Sequence, residues 1–155
     1  KGRKHVMRII SELMRYEPTG RGTDLRTALD FLGRVSKRKS VAFVLSDFIA
    51  DNHESALHSM SRRHDLIPVV IVDPMEEELP DIGVCYFEDP ESGSLVPVDT
   101  SSAAVRRRYR QRAKAIRARR ERTFHRSNID FIAINTQRSY LQPVINYFRL
   151  RAARH

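Results

Sequence analysis

One cysteine and no tryptophan occur in 155 residues. A single thiol cannot close an internal disulfide, which excludes the stapled scaffold of small secreted domains. Set in an alternating Val-Cys-Tyr-Phe run, Cys85 reads as a small half-buried hydrophobe. No apolar run approaches the roughly 20 residues of a membrane-spanning helix, and nothing at the start resembles a signal peptide. A cytoplasmic location is therefore expected. Compact catalytic signatures are missing too. Gly20-Arg21-Gly22-Thr23 has neither the spacing nor the lysine of a Walker phosphate loop. His53, His58 and His64 are not i,i+4 spaced and have no cysteine partners, which argues against zinc. Ser46-Asp47 has no histidine at a spacing that completes a nucleophile set, and the Glu76–Glu78 run reads as a solvated loop rather than a catalytic dyad. No enzyme is indicated. Acidic residues are scarce: 19 Asp and Glu face 28 Lys and Arg, a formal charge of +9. That balance permits nucleic acid, an anionic membrane or an acidic protein as partner, and says nothing about fold.

What is present suits one globular domain or a large piece of one, with 41% hydrophobic and 30% charged residues. Val6, Ile9, Ile10, Leu13 and Met14 fall at helical spacing, followed by a break at Pro18 and two glycines. A second helix is expected from Thr23, with Leu25, Ala28, Leu29, Leu32 and Val35 as its stripe and Lys37-Arg38-Lys39 at its cation-favouring end. Ser40–Ser46 and Leu66–Val72 are continuous apolar runs, the pattern of parallel strands covered on both faces. The short helix between them (Ala56, Leu57, Met60) makes a right-handed βαβ unit. Residues 83–87 and 95–98 flank the turn set Asp89-Pro90-Glu91-Ser92-Gly93 and predict an inserted β-hairpin, whose second strand Pro97 confines to an edge. A long basic helix over about 102–126, a third buried strand at 130–135 and a helix over 140–150 close the pattern.

Asp47 ends the first buried strand and Asp73 the second, so both are expected at one rim of the sheet, and Thr23, ahead of its helix, can reach the same rim. Their oxygens are hard ligands suited to Mg²⁺, Mn²⁺ or Ca²⁺. Each also has a plain structural role: Thr23 as the N-cap of its helix, and Asp47 and Asp73 as polar residues where strands turn.

Several stretches together resemble one bacterial family. They are Lys1-Gly2-Arg3-Lys4-His5 leading into a helix, Gly22-Thr23-Asp24-Leu25 and Leu45-Ser46-Asp47-Phe48. The most specific is Asp73-Pro74-Met75-Glu76-Glu77-Glu78-Leu79-Pro80-Asp81-Ile82-Gly83, with Glu88-Asp89-Pro90 after it. The family is that of the von Willebrand factor A-like proteins encoded beside MoxR-type AAA+ ATPases, domain-of-unknown-function family 58. The resemblance implies a three-layer, Rossmann-like α/β fold with a metal-ion-dependent adhesion site above a mainly parallel sheet. In such domains an Asp-x-Ser-x-Ser motif, a Thr and an Asp supply the ligands. Thr23 matches the second and Asp47 the third, and the first motif does not occur in this sequence. The chain, which starts at Lys1 rather than Met, is accordingly expected to be a single domain over residues 1–155, truncated at its N-terminus and lacking the opening central strand. An incomplete site of one hydroxyl and one carboxylate should hold a divalent cation weakly. The missing strand would leave the 40–46 strand with an open apolar edge that invites self-association or another segment.

By that resemblance the chain is a non-catalytic protein-interaction module, metal-dependent when intact, whose partner is a MoxR-type ATPase. Thr23 and Asp47 are the candidate metal ligands of that incomplete site, and Asp24, Asp73, Arg106, Arg107, Arg108 and Arg110 are the candidate partner-binding residues. The competing class is nucleic-acid binding through the Arg-rich helix 104–126, where basic residues crowd a narrow stripe of Val105, Tyr109, Ala113, Ile116 and Phe124. A packed helix with a solvated outer face explains the same charges, and no nucleic-acid reading motif accompanies them.

Overall fold

Hydrophobic periodicity converts into the following order in the computed structural model: α1 (Arg3–Arg15), α2 (Leu25–Val35), β1 (Val41–Ser46), α3 (Glu54–Arg63), β2 (Asp65–Val72), α4 (Pro74–Glu77), β3 (Val84–Glu88), β4 (Leu95–Asp99), α5 (Ala103–Arg126), β5 (Ile132–Asn135) and α6 (Leu141–Ala152). The structure describes residues 2–17, 22–88 and 93–154. Lys1, the break at Pro18 and Gly20, and the hairpin turn Asp89-Pro90-Glu91-Ser92 lie outside the described residues. No helix among the described residues is long and apolar enough to cross a membrane.

Strands β1, β2 and β5 form a parallel sheet in the order β1-β2-β5, with Val41 opposite Asp65 and Val69 opposite Ile132. Alternation along β2 sends side chains to two cores. On one face Leu66 and Val70 pack with Leu25 and Leu29 of α2, Leu57 and Met60 of α3, and Phe124 of α5. On the other, Ile67, Val69 and Ile132 meet Val144 and Tyr147 of α6. The result is an α/β fold of three layers around a parallel sheet. The antiparallel pair β3–β4 forms a separate sheet, Val84 opposite Asp99, so the hairpin is an excursion from the main pattern, as expected. Cys85 is half-buried on it.

Two expectations need correction. The 40–46 strand is not covered on both faces. Ala42 and Val44 face the first core, but Val41, Phe43 and Leu45 remain 57%, 50% and 66% exposed. The cause is position: β1 is the last strand of the sheet, and α6 brings the Phe148 ring to 6.5 Å from that of Phe43. The apolar stripe of α1 is likewise left open among the described residues, with no buried residue in the helix. The second correction concerns Glu76–Glu78, read as loop. Asp73 accepts the Met75 N–H at 2.9 Å and Pro74 takes the first helical position, so a short helix starts there.

Helices α2 and α3 approach closely at Gly33. A Cβ placed there would meet the Met60 methyl at 2.9 Å and Arg63 Nη1 at 3.2 Å, and Arg63 donates to the Gly33 carbonyl at 3.3 Å. Gly33→Leu is expected to lower stability by about 1–3 kcal/mol through overpacking, read as a fall in urea midpoint. An unchanged midpoint would show that the two helices separate freely.

Candidate functional site

Because β1 and β2 run parallel, Asp47 and Asp73, each following its strand, emerge at one end of the sheet. Helix α2 enters β1 through a short link at the opposite end, which sets it antiparallel to the strand. That topology directs its N-terminus, with Thr23 and Asp24, toward the Asp47 end, and Leu25 and Phe48 belong to one core cluster. This is the end at which open α/β sheets bind ligands.

The turn after β1 is tightly specified. Asp47 Oδ1 accepts the Ile49 N–H at 3.0 Å, Ser46 Oγ accepts the Phe48 N–H at 3.0 Å, and Arg120 Nη1 donates to the Asp47 carbonyl at 2.8 Å. Phe48 takes φ 55, a left-handed conformation costly for a bulky residue. Burial compensates: its ring meets Phe124 edge-on at 5.1 Å and His53 at 5.8 Å. Asp47 thereby holds a fixed orientation, and its Oδ2 has no hydrogen bond among the described residues.

At the α2 terminus the sequence expectation is corrected. The cap is Asp24, not Thr23: Asp24 Oδ1 accepts the Thr27 N–H at 3.0 Å and Oδ2 the Thr27 hydroxyl at 2.7 Å. Those donors hold the Asp24 carboxyl below its ordinary range and occupy both of its oxygens. Thr23 is exposed, and its hydroxyl has no partner among the described residues. Asp73 caps α4 through Oδ1, and its Oδ2, like that of Asp47, has no hydrogen bond among the described residues.

Glu76 belongs to this rim and was missed. Its carboxyl is pushed up, first by partial desolvation and then by the charges of Asp47 and Asp73, although the residue as a whole is exposed. The missed signal was Asp-Pro at 73–74, which starts the helical turn that carries Glu76 back toward the strand ends. A carboxyl raised in the folded state costs stability as pH climbs from its ordinary value through the raised one. Glu76→Gln should match the wild type in melting temperature at acid pH and exceed it at neutral pH; a difference independent of pH would remove Glu76 from the rim. One free hydroxyl, on Thr23, and the free carboxylate oxygens of Asp47 and Asp73 suit a hydrated hard cation, while no group of three or more His, Cys, Asp or Glu among the described residues could hold a metal. His53 and His64 are buried and His58 is exposed.

Along α5 the arginines divide. Arg106 reaches Asp81 at 2.9 Å and the carbonyls of Thr100 and Ser101 at 2.5 and 2.9 Å. Arg110 pairs with Glu78, Arg117 with Glu77 and Glu121, and Arg119 with Asp51 and Glu54. Of the four arginines singled out from sequence, Arg106 and Arg110 are thus engaged internally. Arg107 and Arg108 are exposed and form no ion pair among the described residues.

A family model described as "Protein of unknown function DUF58" matches residues 1–119. Uncharacterized protein MAV169 of Mycobacterium avium is 30% identical over 135 residues, covering 86% of this chain and 79% of that protein. Uncharacterized protein Rv1480 of Mycobacterium tuberculosis (strain H37Rv) and uncharacterized protein Mb1516 of Mycobacterium bovis are each 30% identical over 154 residues, covering 97% of this chain. The chain spans 48% of the length of those two relatives. No solved structure matches it significantly.

Proposed function

The chain belongs to the DUF58 family of proteins of unknown function, and from that premise we propose that it is a cytoplasmic, non-catalytic protein-interaction module of the von Willebrand A type. Thr23 and Asp47 would hold a divalent cation, Mg²⁺ or Mn²⁺, which would supply a positive centre for a carboxylate of the partner. One observation supports this reading: Asp24 and not Thr23 caps α2, so the Thr23 hydroxyl and one Asp47 carboxylate oxygen are both without a hydrogen bond among the described residues. The cation supplies a positive centre that neither side chain provides, and its affinity here is weak because two protein oxygens do the work of several. The MoxR-type AAA+ ATPase is proposed as partner from family resemblance. The open β1 edge is proposed to be covered by a second copy or by another segment.

The test is capture of a MoxR-type ATPase by the purified protein, with Mn²⁺ and with chelator, across Thr23→Ala and Asp47→Ala. Capture that needs the cation and falls about tenfold or more in each variant supports the rim. Capture indifferent to chelator and to Asp47→Ala overturns it. Retention on a polyanion that is lost when Arg107 and Arg108 are reversed to Glu, with no ATPase capture, would favour the nucleic-acid reading instead.

A further inference from the structure

The hairpin and the long helix enclose a groove that the rim does not use. The β3–β4 register puts Phe87 opposite Val96 and Cys85 opposite Val98, so one face of the hairpin is apolar and turned toward α5. Phe87, Val96 and Val98 line one wall, Val105 and Tyr109 the other, and the groove encloses about 690 Å³, within the size range of sites that enclose ligands.

The groove is held open by its frame. Fully buried Thr100 donates its hydroxyl to the Gly83 carbonyl at 2.7 Å and accepts the Ile82 N–H at 3.1 Å. Arg106 clasps the Thr100 and Ser101 carbonyls from the first turns of α5, and the Tyr109 hydroxyl donates to the Met75 carbonyl at 2.9 Å. The base of the hairpin is thus pinned to the helix, while Phe87 and Val96 stay 38% and 48% exposed above it.

Charge decides what fits. Asp81, Glu78 and Glu77 neutralise Arg106, Arg110 and Arg117. Arg108 and Arg112, on the groove itself, form no ion pair among the described residues. Among the described residues the lining has one carboxylate, Glu88 on the hairpin. Two guanidiniums without an ion pair among the described residues, beside an apolar slot, favour carboxylates flanking an apolar side chain. Nucleic acid fits this slot less well, because apolar walls offer nothing to phosphate.

We infer that this groove receives an acidic peptide segment of a partner protein, its apolar side chain seated against Phe87 and Val96 and its carboxylates on Arg108 and Arg112. The inference rests on the interaction-module reading but not on the cation rim.

The probe is a fluorescent glutamate-rich peptide with one central phenylalanine, followed by anisotropy against its all-glutamate analogue and an analogue with lysine for glutamate. Both analogues should bind about tenfold weaker or worse. Reversing Arg108 and Arg112 to Glu should weaken the phenylalanine peptide by a similar factor, while reversing Arg122 and Arg126, exposed on the same helix, leaves it unchanged. Phe87→Ser, with Val96→Thr as the variant that preserves strand shape, should erase the preference for phenylalanine with the melting curve retained. Equal binding of the all-glutamate peptide, or equal loss on reversing Arg122 and Arg126, would overturn the groove. Chelator should leave peptide binding intact. Failure here with chelator-sensitive ATPase capture preserved would therefore sink the groove alone, and the reverse pattern would sink the rim alone.

Discussion

Phe124→Ala is expected to destabilise the protein by about 3–5 kcal/mol, the cost of emptying a fully packed aromatic site. Phe124 is wholly buried at the last turns of α5, its ring 5.1 Å from Phe48 and 5.0 Å from Phe131. It is the one buried side chain through which the basic helix joins the sheet core, so its loss acts on two elements at once. The left-handed backbone at Phe48 is stable only while the Phe48 ring has somewhere to go. Strain of roughly 1–2 kcal/mol stands against several kcal/mol of aromatic burial, and burial wins. Phe48→Gly, which removes the strain and the ring together, should therefore destabilise as well. Urea denaturation measures both. A shift below about 1 kcal/mol for Phe124→Ala would mean that α5 is not integral to the core. Where the fold survives, as expected of Phe124→Leu, loosened anchorage of Asp47 should appear as weaker Mn²⁺ binding.

The parts legible in sequence were those governed by local pattern. The β2 run, buried on both faces, and the switch to a hairpin around Pro97 follow from period and turn chemistry. Asp47 at the end of an apolar strand was legible because a parallel strand must stop in polar residues. What could not be read depends on which neighbour is adjacent. The run Val41-Ala42-Phe43-Val44-Leu45 carries the same signal whether a second cover exists or not, and here α6 covers β2 and β5 instead. Thr23 and Asp24 are both good caps by type, and only the backbone of α2 decides between them in favour of Asp24. Glu76 was hidden by composition: three consecutive glutamates read as a solvated loop, and the run is largely exposed, but Asp73 starts a helical turn that includes Glu76 and Glu77. Arg106 and Arg110 were indistinguishable from Arg107 and Arg108, because the acids that engage the first two come from residues 78 and 81, about 30 positions away. The helix reads as a uniform cationic rod in one dimension and as a sided one in three.

Self-association through β1 is the other large effect expected. The outer edge of a terminal strand keeps unpaired N–H and C=O groups that template another strand, and here the adjacent face adds Val41, Phe43 and Leu45, each at least half exposed. Native edges are usually blunted by lysine, proline or a bulge; β1 has none of these along Val41–Ser46. Helix α1 offers a second unpartnered surface through Val6, Ile9, Leu13 and Met14. Burying even a few such side chains offers roughly 1.5–3 kcal/mol each, enough to draw copies together at micromolar concentration if the geometry allows. Sedimentation velocity over a hundredfold dilution series should show the protein associated at high concentration. Phe43→Lys with Leu45→Lys should return it to a monomer without lowering its thermal stability, since both side chains already face solvent for half or more of their area. Helix α1 separates the two possible seats of association. If Ile9→Glu with Leu13→Glu disperses the assembly and the lysine pair does not, the helix face is the contact and the strand edge is protected some other way. A wild-type protein that stays monomeric throughout would show that an exposed, unblunted edge is tolerated here, and the positive charge of the chain, +9 formally, would then be the force keeping copies apart. That alternative has its own signature, because self-repulsion of this kind weakens as salt is raised: association appearing only at high ionic strength would assign the restraint to charge, and association indifferent to salt would return it to the strand.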